Sequence, residues 1–303
     1  MKRMQQIRRA WQLYALFAIP LLIIILFRYL PMYGAQIAFR DYRVAKGILA
    51  SPWVGGKHFL KFFRSNAFGR VVGNTFGISL YALIASIPFP IILALCVNSI
   101  RRKGFRKTLQ MVTYAPYFIS TVVMAGIILQ LLAPRTGLIT QAIVGITGET
   151  NLNIMADSSV FKSVYVWSEV WQKTGFNSII YIAILSSVDP SLHEAAVVDG
   201  ASLLQRIRHI DFPALIPTAV ILLILNCGQI LNIGFEKVLL LQNSLNLQSS
   251  EIISTYVYKI GLASSALNFS YPSAIGLFSS AVGLVMIALV NWVASRLGEE
   301  SLW

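Results

Sequence analysis

The sequence predicts an all-α membrane protein with six transmembrane helices, and three observations carry that prediction. Hydrophobic residues fill 56% of the 303 positions and charged residues only 12%, about half the ~25% of a soluble domain. The mean hydropathy is +0.68, which excludes an ordinary soluble domain and a disordered chain alike. The net charge of +13 is lopsided: residues 1–110 hold 17 basic side chains and 1 acidic one, while residues 111–303 hold 8 and 11. In a chain this apolar, such a bias marks loops held at an anionic cytoplasmic leaflet. No basic–aromatic pattern for reading RNA or DNA is present, so no nucleic-acid partner is expected.

A helix rising 1.5 Å per residue needs ~20 apolar residues to cross a ~30 Å hydrocarbon core. Residues 10–27 are the first candidate. Lys2, Arg3, Arg8 and Arg9 precede it as in a secretory signal, but Arg28, Tyr29 and Pro31 follow where a small-residue cleavage site belongs, so an uncleaved anchor is expected. Residues 71–100 are the second, interrupted by Pro88 and Pro90, and residues 108–134 the third. The fourth, residues 163–188, is more polar, with Glu169 and Lys173 inside it. Residues 212–235 are the fifth, and the sixth lies in residues 260–295, from about Pro272 onward.

The positive-inside rule sets the orientation. The basic N-terminus and the turn Arg101-Arg102-Lys103 with Arg106 and Lys107 belong in the cytoplasm, which puts both termini there. That turn reads as a topology determinant, with an ATPase contact as the other use. Residues 34–66 oppose the scheme, since this outer segment carries Arg40, Arg43, Lys46, Lys57, Lys61 and Arg64 against Asp41 alone. A surface helix near 53–68 would reconcile it, with Phe59, Phe62 and Phe63 buried in lipid and Lys61 and Arg64 snorkelling.

Several chemistries are missing. Cys96 and Cys227 both lie in apolar runs, His58, His193 and His209 are scattered, and no metal-ligand spacing occurs. There is no Gly-x4-Gly-Lys-Ser/Thr phosphate loop and no nucleophile motif. No cofactor, metal or catalytic activity is expected of this chain.

The longest inner loop is informative. Residues 189–211 carry Asp189, Glu194, Asp199 and Asp211 against Arg206 and Arg208, a balance suited to meeting a protein rather than lipid. Pro190 and Ser191 can start a helix capped by Asp189 or Ser191. Ala195 and Ala196 favour helix with little bulk, and Gly200 can end it in the left-handed region. Residues 201–211 begin a second helix and Pro213 opens the next span.

The run Glu194-Ala195-Ala196, three residues to Gly200, then Ile210 and Pro213, resembles the signature of permease subunits of binding-protein-dependent ABC importers. Phe212 stands where that family usually has leucine, and the fuller form through Asp199, Gly200 and Ala201 is intact. Tyr29-Leu30-Pro31-Met32-Tyr33-Gly34 with Ala38-Phe39-Arg40-Asp41-Tyr42 is similar to the oligosaccharide branch, and Trp53-Val54-Gly55, Asn74-Thr75 and Tyr114-Ala115-Pro116 to sugar permeases generally. The resemblance implies one type I permease domain over 1–303, with a core at 66–296 and a coupling loop at 189–213. It implies that Glu194, Ala195, Ala196, Asp199, Gly200, Ala201, Ile210 and Pro213 dock in a cleft of an ATPase subunit. The implied partners are a second homologous permease, two ATPase subunits holding ATP and Mg, an extracytoplasmic solute-binding protein and the lipid of a bacterial cytoplasmic membrane.

Candidate pathway residues each have two readings. Glu169 and Lys173, four apart, are either functional charges or a mutually neutralising pair. Trp167, Trp171 and Gln172, with Tyr165 nearby, can stack on and bond to a sugar, or mark the membrane interface. Asn226, Gln229 and Asn232 recur every three residues and would meet either a solute or another helix; Asn177 is a weaker version. The expected function is ATP-driven import of an oligosaccharide, uronate-containing ones included. The alternatives are an ABC permease for a non-sugar solute, an ion-coupled secondary carrier and a membrane scaffold with no solute path.

Overall fold

The computed structural model describes residues 10–149, 152–228, 230–231, 233–263 and 268–296, and among these every long element is a helix. They fall into two compact units, Met1–Ser65 with Val257–Phe278 and Asn66–Tyr256 with Ser279–Trp303.

In the first unit, α1 (Trp11–Ile24) runs on through tighter and wider turns as one helical stretch, Trp11–Phe39, with no residue of α1 buried. The outer segment that follows is held by its own cations. Arg40 Nη1 donates to the Leu49 and Ser51 carbonyls at 3.0 and 2.8 Å, and its guanidinium lies 5.4 Å from the Trp53 ring centre. Burial pushes the His58 imidazole below its ordinary pKa, leaving a neutral ring whose Nε2 donates to the Arg40 carbonyl at 3.1 Å. The lipid-buried surface helix expected near 53–68 is corrected here. The helix α2 spans only Lys57–Phe63, and Phe62 is 1% exposed because it packs on Tyr271 and Phe278. Protein rings cover Phe62, while Phe63 stays 45% exposed.

The second unit is built around one helix. The span expected at 71–100 is α3 (Ala67–Ser86) followed by α4 (Pro88–Ser99), with Pro88 opening α4 where a missing N–H does no harm. The third expected span is not straight. It is α5 (Lys103–Tyr114) and α6 (Thr121–Leu131), bent by 96°. Pro116 cannot donate to the helix ladder, Ile119 and Ser120 are extended, and the Ser120 hydroxyl accepts from the Val123 amide to restart it. After α7 (Leu138–Thr147) comes α8 (Phe161–Ser187), 27 residues long.

Helix α8 feeds both apolar clusters. Phe161, Tyr165, Val166 and Val170 pack with Ile78 of α3 and Met124 and Ile128 of α6. Tyr181, Ile182 and Leu185 pack with Ile91, Ala94 and Val97 of α4 and with Leu215. Leu215 belongs to a continuous stretch, Leu203–Gly228, comprising α10 (Leu203–Arg206), a π turn and α11 (Phe212–Gly228), after the short α9 (Pro190–Val198). This moves the fifth span toward the N-terminus and removes the break expected at Pro213. The π turn Ile207–Asp211 absorbs the donor that Pro213 lacks.

Beyond it lie α12 (Phe235–Leu241), α13 (Leu247–Ser250), α14 (Ile253–Gly261) and α15 (Ser270–Arg296). Helix α3 holds the turn before α14. Asn74 Nδ2 donates to the Gln248 and Glu251 carbonyls at 2.7 and 3.2 Å, Thr75 Oγ1 accepts from the Ile253 amide at 2.9 Å, and Arg70 pairs with Glu251. These bonds satisfy backbone groups that an apolar surrounding would leave expensive.

Among the described residues, four helices are long and apolar enough to cross a membrane: Trp11–Phe39, Ala67–Ser99, Leu203–Gly228 and Ser270–Arg296, and a fifth if the bent pair counts as one span. Helix α8 is long enough, but Glu169, Gln172, Lys173 and Asn177 keep it out of that apolar set.

Gly175 is where α8 meets the bent pair. A Cβ there would run into the backbone carbonyl of Thr113. Gly175→Ala is therefore expected to cost ~1–3 kcal/mol through overpacking and to lower the melting temperature of the purified protein. Gly126→Ala, with open space around its Cβ, is the control and should melt like the parent.

Candidate translocation site and coupling loop

Two cavities open in the second unit, of about 660 and about 940 Å³, and Tyr117, Glu169, Lys173 and Gly234 line both. Helix α8 supplies the polar wall because Glu169, Lys173, Phe176 and Asn177 fall on one side of it. Tyr117, in the bend between α5 and α6, stacks on Phe176 with ring centres 3.8 Å apart and planes at 5°. That stack presents aromatic surface to the larger cavity.

Glu169 pairs with Lys173 one turn along α8, in the order that favours the helix dipole. Its other oxygen accepts from Lys237 Nζ of α12 at 3.1 Å. Lys237 is 3% exposed and lies 5.3 Å from the Tyr165 ring centre. Sequence spacing missed Lys237. It stands 68 positions from Glu169, and its only signal was a single cation ahead of the apolar run Val238–Leu241.

The structure sorts the other candidates. Gln172 lines the smaller cavity, yet its amide nitrogen Nε2 donates to the Ile119 carbonyl at 2.9 Å, satisfying the backbone opened by the bend. Asn226 and Asn177 line the larger cavity. Trp167 and Trp171 line neither. Trp167 Nε1 donates to Tyr81 at 2.8 Å and the ring meets Phe89 edge-on, while Trp171 is 57% exposed. Gln229 and Asn232 lie outside the described residues.

The loop at 189–213 has the local structure its sequence encodes. Asp189 caps α9 by accepting from the Ser191 amide at 2.9 Å, which holds its carboxyl below the usual carboxylate range. Helix α9 buries none of its residues. It ends in a Schellman turn: Gly200 has φ +79, its amide donates to Val197, and the Ala201 amide donates to Ala196 at 2.8 Å. Ser202 and Gln205 then form a reciprocal capping box that starts α10. His193 Nε2 sits 3.3 Å from Asp211 Oδ1, tying α9 to the π turn. Glu194, Ala195, Asp199, Gly200 and Pro213 are exposed, and Ala196, Ala201 and Ile210 half-buried. Leu192, Val197, Val198 and Leu204 are exposed around them, an apolar surface suited to a partner.

The chain is similar to known proteins over nearly its whole length. The family model for a binding-protein-dependent transport system inner membrane component matches residues 86–299. Protein LplB of Bacillus subtilis is 37% identical over 300 residues, covering 99% of this chain and 93% of that protein. The polygalacturonan/rhamnogalacturonan transport system permease protein YteP of the same organism is 40% identical over 279 residues, covering 92% and 86%. A chain from the crystal structure of a bacterial ABC transporter involved in import of the acidic polysaccharide alginate superposes with TM-score 0.88 and 34% identity, covering 98% of this chain and 99% of that one. With that extent of match in sequence and in fold, the chain belongs to the family of binding-protein-dependent transport system inner membrane components, the permease subunits of ABC importers.

Proposed function

We propose that this chain is one of two permease subunits of an ATP-driven importer for acidic, uronate-containing oligosaccharides, in a bacterial cytoplasmic membrane. The observation that carries this reading is its likeness, over nearly the whole chain, to an alginate transporter chain and to a polygalacturonan/rhamnogalacturonan permease. The two cavities and the Tyr117–Phe176 stack add to it, since flat rings suit the C–H faces of sugars.

The proposed architecture is a single permease domain with six spans: the four long apolar helices, the bent α5–α6 pair and α8. Both termini lie in the cytoplasm. The loop at 189–213 is the coupling element, and Glu194, Ala195, Ala196, Asp199, Gly200 and Ala201 dock in an ATPase cleft, with Ile210 and Pro213 joining it to α11. ATP and Mg stay on two ATPase subunits. A second permease completes the pathway, and a solute-binding protein delivers the sugar; the alginate transporter has been crystallised with an alginate pentasaccharide-bound periplasmic protein.

Uptake into proteoliposomes holding the full complex tests the reading. Galacturonate or alginate oligomers should enter only with ATP inside and with the binding protein present, and a protonophore should have no effect. Uptake that needs an ion gradient instead, or import of a small non-sugar solute alone, would sink it.

Two variants test the parts. Gly200→Val places a β-branched residue at a positive φ, which costs ~1–2 kcal/mol for a side chain with Cβ, and should abolish solute-stimulated ATP hydrolysis while the permease still inserts. Normal stimulation in that variant would remove the coupling assignment. Asn226→Ala leaves a sugar hydroxyl unpaired at ~1–3 kcal/mol, so uptake should fall roughly 5- to 100-fold. Trp171→Ala, outside both cavities, should leave uptake within a few-fold of the parent; the reverse ranking would reassign the pathway face of α8.

A further inference from the structure

One carboxylate serves two ammonium groups at the shared wall of the two cavities. Glu169 pairs with Lys173 through one oxygen and with Lys237 through the other. Lys237 is 3% exposed and held by that contact and the Tyr165 ring. Lys173 differs: its side chain is 49% exposed and lines both cavities. Glu169 is the one acidic residue lining the larger cavity, and Glu236, the second on the smaller cavity, is exposed and makes no ion pair among the described residues.

The three side chains together carry one unit of uncompensated positive charge. Glu169 can release Lys173 and stay satisfied, because Lys237 remains on its second oxygen. Lys173, half-exposed to both cavities, is free to turn toward an anion that enters them. A passing carboxylate supplies that anion, and a neutral sugar does not.

We propose that Lys173 selects carboxylate-bearing cargo by exchanging Glu169 for a uronate carboxylate, while Lys237 holds Glu169 in place. This deepens the oligosaccharide reading above and rests on it. The Tyr117–Phe176 stack lies on the same wall, so a sugar ring can rest there while its carboxylate meets Lys173. The exchange makes and breaks no covalent bond and moves no proton.

The test uses the purified complex without its binding protein, so that discrimination by the binding protein does not enter. Affinities for trigalacturonate and for its methyl ester are measured by equilibrium dialysis, with saturation-transfer NMR for weak binding. The wild-type complex should bind the acid ~10-fold or more tightly than the ester, as loss of a charge-assisted hydrogen bond requires. Lys173→Met should bring that ratio near one, and Lys173→Arg should preserve it. Equal affinity of the wild type for acid and ester overturns the proposal without any variant, as does a wild-type ratio retained in Lys173→Met. Binding of neither probe by a complex that imports oligosaccharide also overturns it, whereas a complex that imports no oligosaccharide at all fails the reading beneath it.

Discussion

The second unit depends on a constraint placed on one helix. Helix α8 must pack on several neighbours at once and still carry Glu169, Gln172, Lys173 and Asn177 beside apolar clusters. Polar groups there are tolerated only when partnered or facing a wet cavity. The chain meets both conditions by splitting the helix surface. One side is apolar and feeds the two clusters; the other faces the cavities and finds Lys237, the Ile119 carbonyl and the cavity space.

The bend between α5 and α6 is a consequence of the same arrangement. A straight helix at 103–131 would leave no carbonyl for Gln172 and no concave wall for Tyr117. Pro116 interrupts the ladder, Ser120 restarts it, and Gln172 on α8 accepts the job of satisfying Ile119. Gly175 lets α8 come close enough for that bond, since any Cβ there would meet the Thr113 carbonyl. Bend, close approach and buried amide are thus parts of one contact, and they set where the shared wall of the cavities lies.

The loop at 189–213 is organised on a different principle. It has almost no tertiary support: α9 buries nothing, and its ends are closed by local bonds, the Asp189 cap, the Schellman turn at Gly200 and the Ser202–Gln205 box. The His193–Asp211 contact ties it back to the π turn. A short helix closed by its own local bonds keeps its shape with few contacts to the rest of the chain. The same locality is why its structure could be read from residues 189–205 alone.

By itself the sequence determined what local chemistry controls. Composition gave an all-helical membrane chain, charge-free runs gave helix positions to within a few residues for most spans, and the Asp-Pro start and glycine stop gave α9. The family signature was legible for the same reason, since it lies in one contiguous loop. What only the tertiary structure decided depends on residues far apart. Lys237 joins Glu169 across 68 positions, and no periodicity within either helix announces it. Phe62 turns to Tyr271 and Phe278 rather than to lipid, because a short aromatic helix looks the same from its own sequence whichever apolar surface covers it. Trp167 and Trp171 looked as suited to a sugar as Asn226 did, until packing left them outside the cavities. Periodicity names the faces of a helix, and the neighbours that fold against it choose which face meets the solute path.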